Sequence, residues 1–220
     1  WIGGFLVQFF YYAPAGALIL SLLIGLIQFL TWKNMEKGSF ASYPLSFLPA
    51  VSMFLFFCDE NALVTAAIAI IASLALSFFL MKISGTVHRS IITILLMPVM
   101  YCLFGNITIL VPVVTAINSF IRREDKKIIL SFILAACIMA VAIPLIAREF
   151  SPYPLNRLIF GVHYHRYHNA IPLMVWVSVL LVPTAMLMAT VIRDARMALI
   201  SMVISFLPTA LLIQTFTDMD

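Results

Sequence analysis

Apolar runs of 15 to 23 residues, parted by short polar connectors, fill the chain almost from end to end. Eight stand out: residues 13–32, 43–58, 62–81, 90–105, 107–121, 128–147, 170–192 and 197–216. A helix needs about 20 apolar residues to cross a bilayer, and fewer where it is short or broken. Each run is hydrophobic all round, with no polar stripe at a 3.6-residue period, so these are not surface helices of a soluble bundle. No run alternates polar and apolar positions, as barrel strands do. The pattern predicts an all-α fold, a polytopic transmembrane helix bundle of about eight membrane segments, in which residues 1–220 form a single transmembrane domain. Residues 1–12, WIGGFLVQFFYY, run into Pro14 and read as the tail of an earlier span or a helix in the membrane interface.

Composition agrees. Charged residues make up only 10% of the chain against 64% hydrophobic, whereas soluble domains carry about 25% charged residues. The net charge of +4 does not point to nucleic acid, because the basic residues fall in the connectors. If the runs alternate direction, connectors 33–42, 82–89, 122–127 and 193–196 share one side and carry ten of the thirteen Lys and Arg residues. Arg148, Arg157 and Arg166 are left on the other side. Basic residues accumulate on the cytoplasmic side, so a bacterial cytoplasmic (inner) membrane protein with both chain ends extracytoplasmic is expected. Runs 90–105 and 107–121 meet at the tight turn Gly105–Asn106, where a re-entrant hairpin is the alternative to two crossings. Either choice leaves every later connector on the same side.

Nine of the eleven prolines lie in or at the ends of the runs, where interior prolines kink helices and open cavities. Ala62, Ala66, Ala69, Ser73 and Ser77 recur at three- or four-residue spacing, the mark of a close-packing seam. Cys58, Cys102 and Cys137 form no CxxC pair and read as small packing residues. The chain opens on Trp1 with no signal segment and reads as a piece of a longer polypeptide. As parsed, the spans contain no Asp, Glu, Lys, Arg or His, which argues against an ion-coupled transporter built from them alone.

Candidate chemistry gathers in two places on the expected outer face. The first is the long loop 148–169, REFSPYPLNRLIFGVHYHRYHN, whose apolar middle, Leu158–Val162, is expected to dip into the headgroup region. One reading makes it a solvated, interface-hugging loop. The other makes Arg157, His163, His165, Arg166 and His168 a phosphate- or ligand-binding set, because guanidinium forks match phosphate oxygens. No helix or strand gathers all three histidines on one face, so a metal site is not expected. The second place is Asp59–Glu60. These carboxylates either cap the following helix or supply a catalytic base beside a membrane-embedded substrate. The run RREDKK, Arg122–Lys127, reads as a topology anchor.

WIGGFLVQFFYYAPAGALI and YPLNRLIFGVHYHRY together resemble a family of uncharacterised multi-span inner-membrane proteins of Bacteroidota, in which a membrane half precedes a soluble helical-repeat half. The resemblance implies a span and loop before Trp1 and a soluble region after Asp220. It assigns no activity, cofactor or catalytic residue. From the residues themselves three functions compete. One is a transferase acting on a polyprenyl-phosphate-linked sugar or phosphate at the extracytoplasmic face, with membrane lipid as partner. The others are a transporter or flippase using Gln28, Asn118 or Gln214, and a non-catalytic membrane anchor for an extracytoplasmic domain.

Overall fold

The computed structural model describes residues 2–35, 40–59, 62–161, 172–192, 199–203 and 205. They are mostly helical, with no strand among them. α1 (Ile2–Val7) passes through a 3-10 turn, Gln8–Tyr11, into α2 (Ala13–Asn34). A 3-10 stretch, Phe40–Ser46, leads into α3 (Phe47–Phe57), followed by α4 (Val64–Leu80) and α5 (Thr86–Phe104). Gly105–Ile109 is again 3-10 and precedes α6 (Leu110–Ile121). α7 (Lys126–Cys137) runs through a π-helical turn, Ile138–Ala142, into α8 (Ile143–Phe150). The short α9 (Leu155–Phe160) and α10 (Leu173–Val191) follow. The all-α expectation holds. Five stretches, 13–34, 40–57, 86–121, 126–150 and 173–191, are long and apolar enough to cross a membrane. Most of the eighth expected run, 197–216, lies outside the described residues.

Stretch 86–121 is not one rod. Arg89 near its start hydrogen-bonds Ser119 near its end, and Arg122 donates to the Met81 carbonyl. The chain therefore reverses at Gly105, whose φ of 72° and ψ of −166° belong to a region that only glycine occupies without strain. α5 forms one arm of this hairpin, and its 19 residues measure about 28 Å at 1.5 Å each.

α4 sits at the centre, packed on α1, α2, α6 and the Gly105–Ile109 turn. Its small-residue stripe is the packing seam: Ala66, Ala69, Ser73 and Ser77 are buried, and both serine hydroxyls donate to carbonyls of their own helix. Ile27, Met53, Ile70, Leu74, Val114 and Val182 form the main apolar core around it. α3 and α10 run antiparallel, tied by Ser52 to the Met174 carbonyl and Ser178 to the Pro49 carbonyl. Outward, the bundle shows Leu18, Leu22, Leu26 and Phe29 of α2 and Leu95, Val99 and Leu103 of α5. Inward, it buries Thr31, Thr93, Thr115 and Ser119. Apolar side chains outside and hydroxyls inside suit a hydrocarbon solvent and not water.

The expectation of many kinked helices shrinks. Pro14 sits at the second helical position, where a missing N–H costs nothing, Pro154 and Pro172 occupy N-cap positions, and Pro144 follows the π-helical turn within the continuous stretch 126–150. Pro98 and Pro183 alone among the described residues stand well inside an α-helix, with Pro44 inside a 3-10 turn.

Candidate functional site

The helices sort the charged residues onto two ends. Lys33, Lys82, Arg89, Arg122, Arg123, Lys126 and Lys127 lie at one, the basic end. Asp59, the Gly105 turn, α9 and the start of α10 lie at the other, with Arg148 and Arg157 as its basic residues among those described.

At the α9 end the segment expected as a loop contains a helix held by its backbone. Three consecutive carbonyls at the C-terminus of α9, which no intrahelical donor reaches, accept bonds from three different elements. Tyr101 Oη of α5 donates to Leu158 at 3.0 Å, Asn106 Nδ2 to Ile159 at 3.0 Å, and Trp176 Nε1 of α10 to Phe160 at 2.8 Å. Leu158 is buried against protein. Arg157, half-buried, is presented from this fixed helix.

Asp59 is exposed just past the end of α3 and lines a cleft of ≈ 520 Å³. Gly3 and Gly4 of α1, Phe10, Leu20 and Thr65 form its other walls. Gly3 lies so close to α4 that a Cβ there would meet the Thr65 methyl at 2.5 Å, which is why α1 closes this side of the cleft. Leu63 is the N-cap residue of α4 and makes no side-chain capping bond. Arg157 does not line the cleft; its helix packs on α8 and the Gly105–Ile109 turn. Glu60, His163, His165, Arg166 and His168 lie outside the described residues. No group of three or more His, Cys, Asp or Glu that would hold a metal occurs among the described residues.

The basic end holds a constellation that sequence reasoning missed. α5 begins at Thr86, four residues earlier than expected, so Arg89 lies inside the helix and not in a connector. It is 1% exposed and pairs with Glu124, the carboxylate of the run expected to be only an anchor. Its Nη2 also donates to Ser119 Oγ at 3.3 Å, and the guanidinium lies 5.7 Å from the centre of the Phe132 ring.

The turn after α6 places Glu124 for this pairing. Glu124 N–H bonds the Ser119 carbonyl and Arg123 N–H the Phe120 carbonyl, both at 3.0 Å, the two bonds of a Schellman motif. Arg123 has a φ of 58°, filling the left-handed position where glycine is usual. The motif ordinarily closes on an apolar contact between its two outer residues. Here these are Ser119 and Glu124, and Arg89 bridges them. Asp125 then caps α7 by accepting from Lys127 N–H at 3.2 Å. Asn118, fully buried, has no hydrogen-bond partner for either amide atom among the described residues. Nothing local could have revealed the pair, because 35 residues separate Arg89 from Glu124.

Helices of this length and polarity make the chain an α-helical membrane protein by class. It belongs to a family of unknown function, DUF6057, whose model matches residues 1–218. This agrees with the expected membership of an uncharacterised family and brings no activity with it. No curated protein and no solved structure matches the chain.

Proposed function

We propose that the chain is an eight-segment inner-membrane domain that acts on a lipid-linked, phosphate-bearing substrate of the polyprenyl-phosphate kind at its α9 end, which faces away from the cytoplasm. The observation that carries this reading is the cleft of ≈ 520 Å³ at that end with the Asp59 carboxylate on its wall. The substrate's hydrocarbon tail would stay in the bilayer while its head enters the cleft from the side. Asp59, with Glu60 beside it in sequence, takes the proton of the attacking hydroxyl as the bond to the lipid phosphate breaks. Arg157, on the capped helix α9 outside the cleft wall, draws the anionic head to this end by its charge, and Arg166, His163, His165 and His168 are the groups proposed to hold the phosphate. The asymmetry of basic residues between the ends supports the orientation.

The full chain in lipid nanodiscs, supplied with polyprenyl-phosphate-linked sugars, tests this. Asp59→Asn should lower sugar transfer by about 100- to 10,000-fold, as expected for loss of a general base. Turnover that survives in Asp59→Asn unchanged removes the enzyme reading. A second reading, movement of a lipid or solute across the bilayer, draws on the unpartnered Asn118 amide at the inner core. Gln28, the other polar group expected on such a path, is tied to Ser46 Oγ at 2.8 Å. Cysteine at position 118 labelled from both faces in turn would support it; labelling from one face only counts against it.

A further inference from the structure

Two cavities at the basic end share walls. One is an apolar groove of ≈ 490 Å³ between α6 and α7, floored by Pro112, Ala116, Ile117, Phe132 and Ala136 and closed by Leu187 of α10. The other is a polar pocket of ≈ 550 Å³ at the α6–α7 turn, lined by Arg123, Glu124, Lys126 and Thr190. Phe120 and Ile129 line both, so the groove opens directly into the pocket. From Phe120 back to Ile109 the groove follows α6 for about 16 Å along the helix axis.

Charge gives the pocket its polarity. Glu124 is already occupied by Arg89, and no described carboxylate pairs with Arg123 or Lys126. Two cations therefore face the pocket with no ion-pair partner among the described residues. Arg123 also holds a left-handed backbone that a glycine would adopt without strain. Backbone strain of this kind persists where a side chain is needed at a site.

We propose that groove and pocket together bind one anionic phospholipid. An acyl chain lies along α6 and α7, and the phosphate sits between Arg123 and Lys126. Basic pockets between membrane helices at the cytoplasmic side recognise phosphate-bearing heads through each cation's attraction. The continuity of an apolar groove with a cationic mouth selects an amphiphile over a soluble phosphate. The site is at the opposite end from Asp59 and stands whether or not the transferase reading does.

The test is native mass spectrometry of the full chain in detergent, titrated with phosphatidylglycerol or phosphatidylcholine. The wild type should retain one phosphatidylglycerol in preference to phosphatidylcholine. Arg123→Gly with Lys126→Ala should weaken that retention about fivefold per cation removed. Arg123→Gly relaxes the turn, so the variant folds and its result is readable. Ala136→Trp, which fills the groove and leaves the cations in place, should also release the lipid. Equal retention of both lipids, undiminished retention in the charge variant, or glycerol 3-phosphate competing as well as the lipid would each overturn the proposal.

Discussion

The two ends of the bundle fix their connecting segments by opposite means. At the α9 end, three neutral donors, Tyr101, Asn106 and Trp176, satisfy the last carbonyls of a six-residue helix. At the basic end, one arginine, Arg89, gathers a hydroxyl from the last turn of α6 and a carboxylate from the turn that follows it. The first arrangement spreads its energy over several modest bonds, each worth about 1 kcal/mol net. The second concentrates it in a pair whose halves are costly to leave alone. Damage should therefore be graded at the α9 end and abrupt at the basic end.

The largest expected effect comes from splitting the pair. Glu124→Ala leaves the Arg89 charge buried and should cost about 3–5 kcal/mol, read as a lowered unfolding free energy in detergent. The double variant Arg89→Leu with Glu124→Leu should recover most of that loss, since an apolar replacement removes both desolvation terms. A double variant that costs as much as Arg89→Leu and Glu124→Leu added together would show that the pair is not coupled. Next is Gly105→Ala at the hairpin turn, where a side chain must adopt a backbone reserved for glycine. About 1–3 kcal/mol should be lost, with the same measurement deciding. Smallest is Tyr101→Phe, which removes one of three donors and keeps the ring. Roughly 1 kcal/mol of local stability should go, seen as faster hydrogen exchange in 155–160 with global unfolding little changed. If Tyr101→Phe unfolds the whole bundle as Glu124→Ala does, the contrast between the ends is wrong.

The same contrast explains what could be read from the chain. Helices are legible because apolar length is local: the run expected at 13–32 is α2, Ala13–Asn34, and that at 62–81 is α4, Val64–Leu80. The seam on α4 was legible because its spacing repeats every three or four residues. Arg89 was not, because a charge at the edge of an apolar run resembles an end marker until its partner is known. The anchoring of α9 was hidden likewise, its donors lying 57, 53 and 16 residues away. Of the candidate site, Asp59 could be named in advance, but the cleft beside it takes two walls from Gly3 and Gly4, more than 50 residues earlier.

The π-helical turn Ile138–Ala142 divides what would otherwise be one straight rod from Lys126 to Phe150. A π turn holds one residue more than an α turn, and each α-helical residue advances the face by about 100°. α7 makes its contacts with α5 and α6, and α8, further along the same rod, with α9. That one surplus residue is taken up within a single turn, so deleting any one position there would return the rod to plain α-helix and leave α8 facing α9.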